Sequence, residues 1–219
     1  MYFIKDNGIY RCGAWREFVW QNHAFGSRHA HPTPAVTLRQ IHSAEVHLAD
    51  ALGDREREGD ALITDRPGLC VGVRTADCVP LLILDTSTHA VAAVHAGWRG
   101  TAAAIVTRTL ARFTDLYQSR PADLQVAIGP CIRACCYQVS EDVAARFSAW
   151  PSSVVPQANG KPHIDLAAAN RAQLVAAGLD PATIFDSGLC TSCSVDRFFS
   201  FRREPQNPGR MLSSISRLL

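Results

Sequence analysis

The sequence predicts an α+β fold in which mixed β-sheets are flanked by a few helices, within a single domain covering residues 1–219. Short apolar runs typical of strands fill the first half of the chain, and the longer helical patterns begin only after it. The strands outnumber the helices, and many are separated by short turns rich in Gly, Pro, Asp and Thr. This arrangement disfavours a regular alternation of strands and helices.

The strands of the first half are predicted from short runs of apolar and β-branched residues. The predicted strands are Val36–Ile41, Val46–Ala49, Ala61–Thr64, Leu69–Arg74, Val79–Leu84 and Ala90–His95.

The second half contains three predicted helices and three further strands. The first helix is predicted from Thr101 to Tyr117 with Thr101 as its cap, because apolar residues recur there at helical spacing. The other helices are Glu141–Trp150, capped by Ser140, and Leu166–Ala177, capped by Asp165 and ended by Gly178. The strands are Leu124–Ile128, Phe198–Arg202 and Met211–Ser216.

Composition and charge exclude several functional classes. Hydrophobic residues make up 47% and charged residues 19% of the chain, which is ordinary for a folded protein. The formal net charge is +2, with no basic stripe, so we expect no nucleic-acid partner. The N-terminal segment lacks a signal-peptide pattern and the apolar runs are short, so we expect a cytoplasmic protein with no membrane partner. Its eight cysteines are then expected to be reduced thiols or metal ligands.

His42, Cys78 and His95 each lie at a predicted strand end or in a turn. A His–Cys–His set suits zinc, and three protein ligands leave the fourth tetrahedral position open, as a catalytic zinc requires. A buried His or Cys is more often a packed core residue than a ligand, and spacing alone does not bring these three together. His47 lies five residues after His42, and an odd separation on a strand sends two side chains to opposite faces, so at most one of the pair belongs to a site.

The motif Cys190-Thr191-Ser192-Cys193 allows a redox pair, half of a structural zinc site with Cys131, Cys135 or Cys136, or a packed pair. A redox motif is expected at a strand-to-helix junction, whereas a strand-like run follows here. We therefore favour a packed pair that is dispensable for catalysis.

The turn Gly97-Trp98-Arg99-Gly100 separates a predicted strand from the first predicted helix. The free N–H groups of a helix beginning near Thr101 would favour an anion, and Arg99 would add a charge-assisted hydrogen bond to it. An ordinary strand–helix turn is the alternative.

Several segments together resemble the YfiH-like family. They are Arg39-Gln40-Ile41-His42-Ser43, Gly59-Asp60-Ala61-Leu62-Ile63-Thr64, Thr75-Ala76-Asp77-Cys78-Val79-Pro80-Leu81-Leu82, Ala93-Val94-His95-Ala96-Gly97-Trp98-Arg99-Gly100, Ile128-Gly129-Pro130-Cys131-Ile132 and Phe199-Ser200-Phe201-Arg202-Arg203. Members of that family have been labelled polyphenol oxidase (laccase-like), purine nucleoside phosphorylase with adenosine deaminase activity, and peptidoglycan editing factor.

The resemblance implies that His42, Cys78 and His95 bind zinc, one ion per chain. It also implies a single α+β domain likened to a bacterial toxin fold of the CNF type. The segment from His23 to Arg28 resembles the family's His-x-Phe-x-x-Arg, which makes Arg28 a candidate substrate ligand. The glycine pair that usually follows is replaced here by residues His29 to Pro32.

Four functions are compatible with such a site. The first is phosphorolysis and deamination of purine nucleosides; the second is amide hydrolysis on a nucleotide-linked peptidoglycan precursor. Copper-dependent phenol oxidation is less favoured, because a laccase needs several His-rich copper sites and the chain has eight His. The fourth is a zinc-stabilised binding module without catalysis. If the chain is an enzyme, Asp77 is the candidate acid/base or ligand-orienting residue. Arg28, Arg39 and Arg99 are candidates to hold an anion, and Trp98 would stack on a base.

Overall fold

Two β-sheets lie face to face, and helices cover the outer face of the larger sheet. The computed structural model describes residues 3–51, 57–156, 160–206 and 209–219. The chain forms an α+β fold with mixed sheets and few helices, as the sequence predicts. Among the described residues, no helix is long and apolar enough to cross a membrane.

The smaller sheet is antiparallel and has the order β1-β2-β3-β13-β6. Its strands are β1 (Phe3–Asp6), β2 (Ile9–Cys12), β3 (Gln21–Phe25), β6 (Cys70–Thr75) and β13 (Met211–Arg217). The larger sheet is mixed and has the order β12-β9-β7-β8-β5-β4. It contains β4 (Val46–Leu48), β5 (Ala61–Thr64), β7 (Val79–Asp85), β8 (Val91–Ala96), β9 (Leu124–Ile128) and β12 (Ile184–Asp186). The strands β10 (Val154–Val155) and β11 (His163–Ile164) form a separate pair.

The larger sheet is buried on both faces, which explains why its central strands are continuous apolar runs. Along β7, Leu81 and Ile83 face a cluster that includes Phe113, whereas Leu82 and Leu84 face the smaller sheet. This alternation follows from the two-residue period of a strand. The first core therefore lies under the helices, and the second lies between the sheets.

The described part of the chain has four α-helices, α1 (Trp98–Ala102), α2 (Ile105–Tyr117), α3 (Glu141–Ala145) and α4 (Leu166–Ala176). The predicted cap of α4 is confirmed, because the side chain of Asp165 accepts a hydrogen bond from the Ala168 N–H. The first predicted helix is wrong at its start: helical structure begins at Trp98, with Gly97 as N-cap. It is then interrupted, since Ala104 adopts a left-handed conformation with φ 59°.

The interruption has a cause that the alanine-rich sequence does not reveal. The carbonyl oxygen of Thr101 accepts a hydrogen bond from the Gln173 side chain on α4, and the Thr101 hydroxyl accepts one from Asn170. Contacts with α4 therefore replace continuation of one regular helix.

Other predicted elements are corrected by the structure. The Glu141–Trp150 helix ends at Ala145 and continues as turns, and Pro151 disfavours helical geometry at the residue before it. Val36–Ile41 is not a strand: isolated bridges pair Val36 with Val71 of β6 and Arg39 with Glu58. The predicted strand Phe198–Arg202 is wrong: residues 198–200 have no regular structure, and a turn begins at Phe201. The short strands β1, β2 and β3 were not predicted.

Candidate metal centre and pocket

His42, Cys78 and His95 converge at one end of the larger sheet. Cys78 directly precedes β7, and His95 lies near the end of β8, opposite Pro80 of the antiparallel β7. His42 reaches them from the loop before β4. The potential ligand atoms of the three residues lie within 4.8 Å of one another.

The distances suit one shared metal ion. The Cys78 Sγ lies 3.8 Å from the His42 Nε2. A tetrahedral zinc with ordinary Zn–S and Zn–N bonds would separate such atoms by about 3.6 Å. The donor set contains three residues, so a fourth position is left for water or substrate. This cluster could therefore bind a metal.

Asp60 orients two of the three residues. Its Oδ1 lies 2.7 Å from the His95 Nδ1 and accepts the backbone N–H of His42 at 3.0 Å, while its Oδ2 accepts hydrogen bonds from Ser43. The carboxylate is fully buried. Because the Nδ1 of His95 is engaged, its Nε2 is the nitrogen available to a metal, and such outer partners fix ring orientation in metal sites.

Asp60 lies within the family-like segment Gly59–Thr64, but the sequence alone does not indicate its role. It directly precedes β5, and the antiparallel pairing of β5 with β8 brings it beside His95, whose N–H donates to the Asp60 carbonyl at 2.7 Å. In the sequence, the only indication of a role for Asp60 is that an acidic residue directly precedes an apolar strand. Its pairing with His95 depends on the register of β5 and β8, which the sequence does not show.

The electrostatics of the cluster favour a thiolate beside an imidazolium. Burial raises the pKa of the Cys78 thiol, but hydrogen bonds from His42 and His95 and the charge of His95 lower it, to about 6. Burial lowers the pKa of His95, but its bonds to Asp60 and Cys78 raise it, to about 9. Burial also raises the pKa of Asp60, yet its bonds to His95 and Ser43 leave it below the ordinary value. The thiolate is thus formed near neutrality, as metal binding requires.

The backbone around the His42–Cys78–His95 cluster adopts uncommon conformations and comes close to the side chains. His42 and Asp77 have positive φ values of 60° and 89°, which are uncommon for residues with a side chain. A Cβ at Gly97 would lie 2.7 Å from the His42 ring and 3.1 Å from the Cys78 Sγ. Glycine at this position therefore leaves space for both side chains.

Asp77 lies beside Cys78, but its carboxylate is occupied. It accepts hydrogen bonds from the Thr191 hydroxyl at 2.6 Å, the Ser200 hydroxyl at 3.0 Å and the Arg202 N–H at 2.7 Å. The residue is buried. These bonds join the turn that carries Cys78 to the segment around residues 191–202.

A pocket of about 590 Å³ opens over the cluster. Five arginines line it, and Asp77 is the only carboxylate among the described lining residues. The arginines are Arg39, Arg74, Arg99, Arg202 and Arg210. The lining is therefore strongly cationic, which favours an anionic ligand.

Aromatic side chains form part of the same wall. Trp98, Tyr137 and Phe201 line the pocket, and Phe201 is 53% exposed. The Arg99 guanidinium lies 4.4 Å from the Trp98 ring centre, and that of Arg202 lies 5.1 Å from the Tyr137 ring centre. The sequence does not predict Tyr137, Phe201 and Arg202 as site residues, although Phe201 and Arg202 lie in the family-like segment Phe199–Arg203.

The predicted substrate ligands fall into two groups. Arg39, Trp98 and Arg99 line the pocket, and Arg39 also forms an ion pair with Glu58. Arg28 does not line it; its guanidinium pairs with Glu204 at 3.0 Å and lies over the Phe199 ring. The structure therefore separates Arg28 from the other three residues.

The anion site predicted at a helix starting near Thr101 is corrected. Thr101 is fully buried within α1, a helix of five residues whose N-cap is Gly97. Of the two groups predicted to bind the anion, the helix N–H groups near Thr101 are therefore set aside, and the Arg99 side chain is left.

His47 lies outside the cluster, in agreement with the expectation that His42 and His47 do not share a site. Its Nε2 lies 2.8 Å from the Glu58 carbonyl oxygen.

A second cluster is formed by Cys135, Cys136, Cys190 and Cys193, whose Sγ atoms lie within 4.8 Å of one another. The preferred interpretation of the Cys-x-x-Cys motif as an incidental pair is therefore replaced by a group of four thiols that could bind a metal. Cys131 is buried in the core under the helices and does not belong to this group.

Comparisons with known proteins show the family to which the chain belongs. Residues 7–218 match the family model described as multi-copper polyphenol oxidoreductase laccase. The chain belongs to this family. It is 41% identical over 197 residues to adenosine deaminase RL5 from an unknown prokaryotic organism, an alignment that covers 83% of this chain and 74% of that protein. It is 42% identical over 179 residues to a purine nucleoside phosphorylase of Deinococcus radiodurans, covering 81% and 68% of the two chains.

Solved structures of the family share the fold. The crystal structure of YlmD from Geobacillus stearothermophilus superposes with a TM-score of 0.89 at 29% identity, covering 100% of this chain and 99% of that one. YfiH from Bacillus licheniformis gives a TM-score of 0.88 at 27% identity, covering 99% of each chain. The resemblance to the YfiH-like family and the predicted fold class are confirmed.

Proposed function

We propose that the chain is a zinc-dependent purine nucleoside phosphorylase with adenosine deaminase activity. The observation that carries the proposal is the three-residue donor set of His42, Cys78 and His95 at the floor of a cationic pocket. The names of the relatives supply the substrate class, since they include a purine nucleoside phosphorylase and an adenosine deaminase.

A bound zinc would supply Lewis acidity and lower the pKa of a water molecule toward neutrality. His42, Cys78 and His95 would hold it, and Asp60 would keep the His95 ring in the orientation and tautomer that binding requires. Zinc is compatible with one thiolate and two imidazoles.

Phosphorolysis requires a bound phosphate that attacks the sugar C1′ while the purine departs. Arg99 and its four neighbouring arginines are suited to hold this phosphate, because guanidinium groups form paired charge-assisted hydrogen bonds with it. Trp98 and Phe201 provide aromatic surfaces on which a purine can stack. Tyr137 retains its phenolic proton as a hydrogen-bond donor, since burial and the nearby Cys78 raise its pKa to about 12.

We assign Asp77 a positioning role in place of proton transfer. Its two oxygens already accept three hydrogen bonds. Loss of the Asp77 carboxylate as an acceptor would leave these buried donors unpaired. In this role the carboxylate fixes the turn of Cys78 against the segment that carries Arg202.

Copper-dependent phenol oxidation is the alternative that the family description raises. Among the described residues, one metal-ligand cluster contains two histidines and the other contains only cysteines. A multicopper oxidase needs several His-rich sites, so the donor chemistry favours zinc.

The proposal is tested by a substrate panel with the purified, zinc-loaded protein. The panel contains inosine with and without phosphate, adenosine alone, a nucleotide-linked muramyl amino acid and a phenol. We expect hypoxanthine only when phosphate is present, and inosine from adenosine. Cys78→Ala should abolish both reactions, whereas His47→Gln, a histidine outside the cluster, should retain them. Release of the muramyl-linked amino acid without nucleoside turnover would favour the amidase and overturn the proposal.

A further inference from the structure

We propose that Cys135, Cys136, Cys190 and Cys193 bind a second zinc ion, which has a structural role and fastens two loops that form one wall of the pocket. This inference does not rest on the proposed function, because the cluster contains none of the residues of the His42–Cys78–His95 centre.

The separations between sulfurs fit a single four-coordinate ion. Cys193 Sγ lies 3.5 Å from Cys135 Sγ and 3.3 Å from Cys136 Sγ, and the last two are 3.7 Å apart. Four thiolates around one tetrahedral zinc would be separated by about 3.8 Å. A disulfide requires a sulfur separation of about 2.05 Å, so these thiols are not paired covalently.

Backbone hydrogen bonds bring the two cysteine pairs together. The N–H of Cys131 donates to the Leu189 carbonyl at 3.2 Å, and the N–H of Thr191 donates to the Cys131 carbonyl at 3.0 Å. On one side Cys136 N–H bonds the Arg133 carbonyl in a tight turn, and on the other Ser194 N–H bonds the Cys190 carbonyl. Each loop thus presents two sulfurs, and the Cys-x-x-Cys spacing is typical of zinc sites.

The loops have a structural need for such an ion. Between β12 and β13, the described residues 187–206 and 209–210 contain no helix or strand. Segments of this length without regular structure are uncommon in compact domains. Cys135 and Cys193 are exposed, so apolar packing does not explain why their thiols are held together. A site closed by four thiolates is the form that structural zinc takes.

The cluster is connected to the pocket through short contacts. Arg203 donates hydrogen bonds to the carbonyl oxygens of Thr191 and Ser192, within the Cys-x-x-Cys turn. The Thr191 hydroxyl donates to Asp77, beside Cys78. Tyr137, directly after Cys136, lines the pocket. Loss of the second ion should therefore loosen the pocket wall and weaken substrate binding more than turnover.

Metal content provides the primary test. The wild-type protein, purified under reducing conditions with zinc, should contain about two ions per chain. Cys190→Ser/Cys193→Ser should contain about one and unfold at a lower temperature. Cys78→Ala should also contain about one, and the combined variant should contain none. Cys70→Ser is the matched control, because Cys70 is a half-buried thiol outside both clusters and should leave both ions bound.

A rescue experiment separates metal binding from simple packing. Zinc accepts three thiolates and one imidazole, so Cys193→His should retain the second ion, whereas Cys193→Ser should bind it weakly. Cobalt added to the Cys78→Ala protein should give strong thiolate-to-metal absorption that the Cys190→Ser/Cys193→Ser change removes. The proposal is overturned if the wild type holds zinc only at the His42–Cys78–His95 centre, or if the four cysteines of the reduced, zinc-loaded protein react freely with an alkylating reagent.

Discussion

The two clusters of side chains that could bind a metal differ in their donor atoms and in the elements that carry them. The His42–Cys78–His95 centre lies at the ends of paired strands, is oriented by the buried Asp60 and opens into a cationic pocket. The four-cysteine cluster lies on two loops. Three protein donors leave room for chemistry, whereas four complete the coordination of the ion. On our proposals, the number of protein donors and their surroundings would distinguish a reactive metal site from a structural one within this chain.

The strongest test of this contrast removes one ligand from the His42–Cys78–His95 centre, which we call the open centre because its three protein donors leave a fourth position free. Cys78→Ala and His95→Ala should each lose the ion at that centre and reduce turnover to the background level, because too few donors remain. The fold should persist, since the open centre is not expected to hold the domain together. Metal analysis and circular dichroism of the same samples provide the measurement. Full metal content at both clusters in Cys78→Ala would contradict the assignment.

The second prediction concerns pH. A metal ion would bind the thiolate of Cys78, whose pKa is lowered to about 6, and the neutral imidazole of His95, whose pKa is raised to about 9. Between these values the thiolate is already formed, but His95 must release its proton. Affinity at the open centre should therefore rise about tenfold per pH unit from pH 6 to 9, with one proton released per ion, and level off above pH 9.

In the metal-free protein, the free energy of unfolding should depend on pH in a different way from the metal affinity. The lowered pKa of Cys78 contributes stability that is complete above its ordinary value of 9.0 and is lost as the pH falls through 6. The raised pKa of His95 contributes stability that is complete below its ordinary value of 6.5 and is lost as the pH rises through 9. Between pH 6.5 and 9 the contribution of Cys78 to the free energy of unfolding rises with pH while that of His95 falls equally. The two changes cancel because folding removes a proton from Cys78 and adds one to His95.

Chelator competition at several pH values measures the affinity, and calorimetry in buffers of different ionisation enthalpy counts the protons. Subtraction of the Cys78→Ala signal isolates the open centre from the four-cysteine cluster. Affinity that is independent of pH between 6 and 9 would show that His95 is already neutral in the metal-free protein.

The third prediction concerns Asp60. Asp60→Asn should weaken metal binding or activity by about 10–100-fold, since outer-shell partners of metal ligands usually contribute this much. Asp85→Asn is a matched control, because Asp85 is also a fully buried carboxylate but bonds Ser119 and the turn at residues 87–88. The control should lower stability without changing metal affinity at the open centre. Equal effects of both variants on metal affinity would assign Asp60 only a structural role.

The sequence predicted the parts of the fold that depend on local pattern. The runs that form β5, β7, β8 and β9 are apolar throughout, since both faces of their sheet are buried. Phe198–Arg202 alternates like a strand, but Ser200 and Arg202 donate hydrogen bonds to Asp77, more than 120 positions earlier, and the segment does not pair as a strand. That contact is not visible in a local pattern.

Some residues of the two clusters could likewise be predicted from the sequence, whereas others could not. His42, Cys78 and His95 were selected by donor chemistry and by resemblance, both of which are readable in the sequence. The roles of Asp60 and of Cys135 with Cys136 depend on strand register and loop packing. Only the folded chain brings these residues to their partners.

The last and smallest predicted effect concerns Arg99, which lines the pocket over the open centre but has no counterpart in the four-cysteine cluster. A hydrogen bond to a charged group contributes about 1.5–3 kcal/mol. Arg99 is exposed and its guanidinium already lies over Trp98, so solvent screening favours the lower end of this range. Arg99→Ala should therefore reduce kcat/KM for inosine phosphorolysis by about tenfold and leave both metal ions bound.

The substrate and the control make this result specific. Adenosine deamination needs no phosphate, so Arg99→Ala should affect it less than phosphorolysis, and the KM for phosphate should rise. Arg99→Lys should recover only part of the loss if the contact is bidentate. Arg112 is a half-buried arginine on α2 that lies beside Asp115, outside the pocket, and Arg112→Ala should change neither reaction. An equal loss in both reactions would mean that Arg99 supports the pocket through Trp98 and does not hold phosphate, and unchanged kinetics would make it a surface residue.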